Sequence, residues 1–301
     1  MTKIAIGSWA YVFGPYSSNP VPLDKVVERL SELGFDGIEL CGFKPHVHPD
    51  DYPTKQKRQE IVNLLQDHNL EPVGIAADFT ATLPGAEGAA AQKAYLDNFK
   101  KNIELCVDIG IPKIRVDTCE APPVEITGEY KKKFANIVAA WQKASQLAQD
   151  AGIGLIWEFE PGFIFNKPSE ITRMVKEVGH PNFKILLDSC HAHMVANQGA
   201  KQPPPKETLR GGAVEMIGRL KGKIGHIHLI DSDNSLHDNM TSTHAPFGQG
   251  VLDFDKIMPA IMNAGYDSEW WSLDLCFWPE AWEVTEAGLE FVRGLAKKYG
   301  K

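Results

Sequence analysis

Four short apolar segments in the second half of the chain each carry, near their end, one side chain that can bind a metal ion. These residues are Glu158, Asp188, His228 and Asp274. A carboxylate at the end of a buried segment is costly unless a charged or hydrogen-bonding group meets it. One divalent cation would satisfy all four side chains, so the pattern predicts a shared metal centre. Three oxygen donors and one imidazole favour Mn²⁺, with Mg²⁺ and Co²⁺ as alternatives, over a structural zinc.

Each of these residues also has an ordinary structural explanation when it is taken alone. A histidine at a strand end is often only a hydrogen-bonded structural residue. Asp188, which precedes Ser189, could cap a helix. The joint occurrence of four donors on consecutive predicted strands favours the metal centre.

Other residues at strand ends, or in the loops that follow them, are predicted to contact a substrate. An aromatic face such as that of Trp9 can stack on a sugar ring, although core packing explains it equally well. Glu160 shares a strand face with Glu158 and could bind substrate or replace that ligand. Arg115 could line the site or form a buried ion pair that holds strands together. His46 could contact substrate, join a second metal site or lie in a solvated loop.

The elements that must position these residues alternate between strand-like and helix-like segments from end to end. Eight such repeats in 301 residues predict an α/β fold, a single (β/α)8 TIM barrel over residues 1–301. The first strand lacks a following glycine-rich dinucleotide fingerprint, which disfavours a Rossmann fold. Glycines at the ends of several helical patterns predict left-handed caps. The predicted strands are 4–10, 37–42, 71–78, 113–118, 154–160, 183–188, 224–231 and 269–276.

Composition narrows the classes of partner. The formal charge of -8 and the pI of about 5.7 argue against nonspecific nucleic-acid binding. Five widely spaced cysteines without a CxxC pair indicate reduced thiols and a cytoplasmic protein. The apolar run near the amino terminus is too short for a signal peptide or a membrane span, so no membrane partner is expected.

Several sequence motifs resemble those of the xylose isomerase-like barrels. They are GIEL at 37–40, WEFE at 157–160, LLDSCHAH at 186–193, GHIHLID at 225–231 and FGQGVLDF at 247–254. That superfamily includes sugar isomerases, ketose 3-epimerases, dehydratase relatives and an apurinic endonuclease type.

The resemblance assigns roles to individual residues. It implies that Glu158, Asp188, His228 and Asp274 hold the metal, and that Glu158 and Asp274 exchange a proton with the sugar carbon. It also implies that His191 binds a substrate hydroxyl, although a hydrogen bond to Asp188 or to a backbone carbonyl is an equally good explanation. His244 lies where relatives have a loop that closes over the site, so it is predicted to contact substrate.

The chain departs from the ketose 3-epimerase pattern at three places, one of which is the segment PGFIF at 161–165, where those enzymes have a second glutamate. Asp274 stands where those enzymes have a longer glutamate, and Asn234 stands where they usually have an arginine. A shorter carboxylate at position 274 would reach the far face of a sugar less easily. Symmetrical two-base epimerisation is therefore less favoured, and isomerisation or elimination from a keto sugar stays open.

The leading hypothesis from sequence is a metal-dependent sugar isomerase or epimerase that acts by proton abstraction beside a carbonyl. A keto-sugar lyase or dehydratase, or the metal subunit of a C-glycoside deglycosidase, would use the same enolisation. A non-catalytic sugar-binding barrel is the third alternative. A small-molecule sugar or sugar derivative is the expected partner, and a homo-oligomer or a partner subunit is left open. A DNA-repair endonuclease is disfavoured because it needs additional metal ligands.

Overall fold

The computed structural model describes residues 1–238 and 240–300. In this part of the chain, eight parallel strands close into a barrel and two antiparallel strands form a hairpin. The barrel strands are β1 (Lys3–Gly7), β2 (Gly37–Gly42), β3 (Glu71–Ala77), β4 (Lys113–Val116), β5 (Gly154–Glu158), β6 (Phe183–Asp188), β7 (Ile224–Leu229) and β10 (Trp270–Leu273). The hairpin strands are β8 (Asp231–His237) and β9 (Thr241–Ala245).

Helices follow the barrel strands and cover the outside of the barrel, which confirms the predicted (β/α)8 fold class. The predicted glycine caps at Gly34 and Gly110 are also confirmed, since both have a φ of 84° directly after a helix. The helices are α1 (Leu23–Leu33), α2 (Lys55–Asp67), α3 (Ala89–Ile109), α4 (Gly128–Asp150), α5 (Pro168–Val178), α6 (Ser189–His193), α7 (Gly212–Arg219), α8 (Phe254–Asn263) and α9 (Ala281–Tyr299). Among the described residues, no helix is both long and apolar enough to cross a bilayer.

The alternation of side chains along β5 shows how the fold directs functional groups into the barrel. Trp157 packs outward against Trp141 of α4, with 5.2 Å between ring centroids. Successive residues of a strand face opposite sides, so Glu158 points inward. The same alternation on β7 places His226 and His228 on one face and Ile227 on the other. Outward aromatic packing against the helices therefore fixes which carboxylates and imidazoles meet inside.

Several boundaries differ from the sequence predictions, and strands β3, β4, β5 and β7 end one or two residues earlier than predicted. The first and last predicted barrel strands are too long at their carboxyl ends, because a 3-10 turn follows β1 and β10 ends at Leu273, before Asp274. The polar stretch after β7, predicted as an irregular loop, forms the β8–β9 hairpin. Ser232 pairs with His244 and Leu236 pairs with Ser242 in that hairpin. Its strands are largely polar, and strand prediction from apolar runs does not detect such strands.

Candidate metal centre

The four predicted ligands come together at the carboxyl end of the barrel. Glu158, Asp188, His228 and Asp274 each offer one donor atom, and these four atoms lie within 4.8 Å of one another. Asp188 on β6 is in register with His228 on β7. His228 Nδ1 lies 3.0 Å from Glu158 Oε1 and 3.3 Å from Asp274 Oδ2. Strands β5, β6, β7 and β10 are consecutive around the barrel, so the last residue or the one before it on β5 to β7, and the residue directly after β10, bring their donors to a common point.

The charge state of this cluster reflects its burial and crowding. Burial raises the pKa of Asp188 to about 7, and the nearby carboxylates of Asp274 and Glu158 add to this effect. Burial would also raise the pKa of Glu158, but Arg115 and His228 outweigh it and lower that pKa to about 2. Burial opposes the charged form of His228, yet Glu39 and Glu158 raise its pKa well above the usual range.

One buried oxygen indicates that the donor set fits a divalent cation. Asp188 Oδ2 has no hydrogen-bond partner among the described residues. A buried carboxylate oxygen without a partner is expensive, and a cation held by three carboxylates and one imidazole would supply what it lacks. Carboxylate and imidazole donors of this kind are ligands that divalent cations accept in proteins.

Backbone and indole donors orient two of the carboxylates. Asp188 caps α6, as its alternative interpretation anticipated, by accepting a 2.7 Å hydrogen bond from the His191 backbone N–H at Oδ1. Asp274 Oδ1 accepts hydrogen bonds from the Cys276 backbone N–H, at 2.8 Å, and from the Trp9 indole N–H, at 3.0 Å. Because one oxygen of each carboxylate is occupied in this way, the other oxygen is directed toward the cluster.

A buried carboxylate supports His228 from its other side. Glu39 on β2 lies 3.2 Å from His228 Nε2 and 2.7 Å from His226 Nε2. These imidazoles oppose the effect of burial and lower the pKa of Glu39 well below its usual value. A carboxylate can only accept here, so Nε2 of His228 carries a proton and Nδ1 faces the other ligands. Such an arrangement is typical of metal-binding histidines.

Arg115 joins the carboxylates that surround the cluster. Its Nε lies 2.7 Å from Glu158 Oε2, and its Nη2 lies 3.2 Å from Asp117 Oδ2 and 3.6 Å from Glu160 Oε1. Burial raises the pKa of Glu160 to about 7 although Arg115 opposes it. Thr241 of the hairpin donates a hydrogen bond to Glu160. The structure thus combines both explanations of Arg115, since this side chain forms buried ion pairs and also lines the cavity.

The β8–β9 hairpin brings two histidines into contact above the cluster. His191 Nδ1 lies 2.9 Å from Ser242 Oγ, and the ring centroids of His191 and His244 are 4.9 Å apart. Burial and the nearby His244 together lower the pKa of His191 to about 3. Burial disfavours the charged form of His244, but Asp274 and Asp188 outweigh it and raise that pKa to about 9. A neutral and a protonated imidazole therefore lie side by side.

A cavity of about 340 Å³ opens beside the cluster at the barrel mouth. Asp188 and His228, by contrast, are fully buried. The predicted residues that line the cavity are Trp9, Arg115, Glu158, Glu160, His191, His244 and Asp274.

The structure does not bring His46 to this cavity. Its ring is buried, with Nδ1 3.2 Å from Ser8 Oγ and Nε2 2.9 Å from the Val21 carbonyl. Both ring nitrogens therefore have protein partners. The predicted substrate contact at His46 is replaced by a role in packing the loops after β1 and β2.

Sequence reasoning missed several residues around the cavity. Phe43, Phe163, Met240 and Thr241 all line it, and none was singled out. Phe43 follows directly after β2, so its position at a strand end was a usable indication. Thr241 and Met240 depend on the hairpin, which was not predicted.

The chain is similar to known proteins in sequence and in fold. The family model described as the xylose isomerase-like TIM barrel matches residues 27–295. Fructoselysine 3-epimerase of Shigella flexneri is 22% identical over 82% of this chain and 83% of its own length. 3-Dehydroshikimate dehydratase of Bacillus anthracis is 23% identical over 80% and 82% of the two chains. A crystal structure of D-psicose 3-epimerase in the presence of D-fructose has a TM-score of 0.74 at 19% identity, covering 99% of this chain and all of the other.

Proposed function

The chain belongs to the xylose isomerase-like TIM barrel family, and on that premise we propose that it is a divalent-metal-dependent sugar isomerase or epimerase. The observation that carries the proposal is the convergence of Glu158, Asp188, His228 and Asp274 beside a substrate-sized cavity. Similarity to sugar 3-epimerases supports the same class of reaction.

The four converging residues would hold the cation, with Mn²⁺ preferred and Mg²⁺ or Co²⁺ as alternatives. When bound, the cation polarises a substrate carbonyl and makes the adjacent C–H more acidic. Asp188 and His228 are fully buried and would serve only as ligands. Glu158 and Asp274 line the cavity as well, so they would also meet the substrate.

Glu158 is the proposed base. Arg115 keeps its carboxylate ionised and fixes one oxygen, so that the group can accept a proton from the carbon beside the carbonyl. Asp274 would return or remove a proton from another direction, held in place by Trp9 and Cys276. His191 and Glu160 would bind substrate hydroxyls, and His244 would contact the substrate from the hairpin side.

Solvent exchange tests this proposal directly. The manganese-loaded protein is incubated in deuterium oxide with a panel of aldoses, ketoses and 3-keto sugars, and NMR spectra are recorded. We expect deuterium to enter beside the carbonyl, and Glu158→Gln to slow the exchange by about 10²–10⁴-fold. Exchange at an undiminished rate in the Glu158→Gln protein would remove the assigned base. Stoichiometric metal with tight sugar binding and no exchange would favour a binding protein.

A lyase or dehydratase that uses the same enolisation is the second candidate. The similarity to 3-dehydroshikimate dehydratase favours it, as does the short carboxylate at Asp274. In this case the removed proton is followed by loss of a β-hydroxyl or an aglycone. An unsaturated sugar or a released aglycone in the same NMR spectra would replace the isomerase proposal with this one.

A further inference from the structure

Three aromatic rings form one side of the cavity. Phe13, Phe43 and Phe277 follow β1, β2 and β10, which are neighbours in the barrel, and we call them the aromatic wall. Phe13 and Phe43 meet edge to face with 5.0 Å between centroids, and Phe13 and Phe277 stack at 6.2 Å. All three rings are partly exposed, so they still offer apolar surface to a ligand.

The backbone of the aromatic wall is strained at Phe277. Phe277 has a φ of 66°, a left-handed conformation that a bulky side chain rarely adopts. The neighbouring loop leaves room for it through Gly14, where an added Cβ would lie 2.9 Å from the Phe277 ring. Strain of this kind is concentrated at functional sites. It holds the ring at the cavity, where the ring also stacks on His237 of the hairpin with 4.6 Å between centroids.

Other apolar residues line the cavity together with the aromatic wall. They are Ala76, Ala77, Phe163, Met240 and Cys276. Most of the exposed cavity surface is therefore carbon. An extended apolar surface with polar groups converging at one end is typical of a site for a ligand with a polar and an apolar part.

The cationic groups of the cavity do not suit a phosphate. Among the described lining residues, Arg115 is the one lysine or arginine, and Glu158, Asp117 and Glu160 surround it within 3.6 Å. Its charge is already matched by buried carboxylates. The protonated His244 is likewise matched by Asp274, at 3.2 Å. A phosphorylated sugar would therefore bring two negative charges to a cavity whose described cationic side chains are already paired with carboxylates.

We propose that the physiological substrate is a sugar conjugate that carries a flat aromatic group, such as an aryl glycoside. Its sugar lies against Glu158, Asp274 and His191, and its aromatic ring packs against the aromatic wall. This inference rests on the proposed function for the sugar end. The aromatic wall adds the substrate class.

A matched pair of ligands tests the inference. Affinities of the manganese-loaded protein for the methyl and phenyl glycosides of one 3-keto sugar are measured by calorimetry. Burial of a phenyl ring against other aromatic rings should make the phenyl glycoside bind about 10–100-fold more tightly. Phe43→Ala should reduce this preference to about 3-fold or less while it leaves the affinity for the methyl glycoside nearly unchanged.

Phe291→Ala is the matched control, because Phe291 is a half-exposed ring on α9 that stacks on Phe247 and does not line the cavity. It should keep the full preference, and circular dichroism with metal analysis should show that both variants are folded and loaded. Equal affinity for the two glycosides, or a preference that survives Phe43→Ala, overturns the inference. Deuterium exchange on unsubstituted keto sugars is scored separately, so failure of the proposed function is distinguishable from failure of the aromatic group.

Discussion

The two sides of the barrel mouth differ in how their side chains are held. On β4 to β7, Arg115, Glu158, Asp188 and His228 are buried and engaged with other charged or polar groups. After β10, β1 and β2, the aromatic wall is partly exposed, and besides the contacts among its own rings one ring stacks on His237 of the hairpin. The charged side is preorganised for one kind of chemistry. We therefore expect substitutions in the aromatic wall to change substrate choice more than reaction type.

The largest effect is expected from removing one charge on the charged side. Asp188→Asn takes away a ligand, and loss of the cation would cost several kcal/mol of transition-state stabilisation, on the order of a 10³-fold slower exchange. The metal-free variant should nonetheless be more stable than the parent at pH 8, by about 1 kcal/mol or more. The reason is that burial raises the native pKa of Asp188 to about 7, whereas an unfolded aspartate titrates at about pH 3.9. The native state therefore loses stability as pH rises from about 4 to 7, and the full loss is present at pH 8.

Metal content per chain and urea unfolding of the chelator-treated proteins measure both effects. Asp233→Asn, at an exposed position on β8, is the matched control. If Asp188→Asn retained stoichiometric metal, the ligand assignment on the charged side would be wrong.

The charged side also depends on Glu39, which lies beneath it. Glu39→Gln replaces the carboxylate between His226 and His228 with a neutral amide, so His228 loses the partner that fixes its protonated nitrogen. Metal affinity should fall about 10–100-fold. Breaking the buried pair should lower the unfolding free energy by about 3 kcal/mol.

Competition with a chelating dye measures the affinity. Glu71→Gln serves as the control, since that carboxylate is 59% exposed and pairs with Lys3 at the surface. Unchanged metal affinity in Glu39→Gln would show that His228 is oriented by Glu158 and Asp274 alone.

Trp9 connects the two sides, and its substitution sharpens the comparison. Trp9→Phe keeps an aromatic ring beside His228 but removes the indole N–H that donates to Asp274. Loss of a buried hydrogen bond to a charged acceptor should lower the unfolding free energy by about 1.5 kcal/mol. Exchange should slow by about 10-fold or less, because Cys276 still orients Asp274. Thermal unfolding and exchange rates are compared with those of the control variant Trp278→Phe. Trp278 is half-buried and lies in the segment after β10 that also carries Cys276.

The smallest effect concerns His46, behind the aromatic wall. Burial lowers its pKa below the usual value near 6.5. The unfolded chain therefore binds a proton at this residue more readily than the native state does. His46 contributes stability above about pH 6.5 that is lost as pH falls. In His46→Gln, the unfolding free energy should fall less steeply than in the parent between pH 7 and 5.5. The two slopes should differ by less than about 1.4 kcal/mol per pH unit. A slope identical to that of the parent in urea unfolding would exclude this contribution.

The barrel could be predicted from sequence because the signals for each strand and helix lie within that segment of the chain. Apolar strands, helical periodicity and glycine caps such as Gly34 are local features, and their alternation leaves few topologies. The convergence of the four proposed ligands followed from the same reasoning, since parallel strands share one end. Glu39 and His228 are 189 residues apart in sequence, and only barrel closure shows that they touch. The sequence alone could not show whether an aromatic residue such as Phe43 lines the cavity or packs in the core, because aromatic residues at strand ends do either.

The β8–β9 hairpin has a consequence for how such an enzyme diversifies. It is inserted between β7 and α8, outside the pairing of the eight barrel strands, and it contributes Thr241, Ser242 and His244 to the region of the cavity. Barrel scaffolds tolerate variation in the segments that follow their strands. Homologous proteins can thus differ in the whole hairpin and present different groups to the substrate. Selection for a new substrate would act on the hairpin while the proposed metal ligands on the barrel strands stay the same.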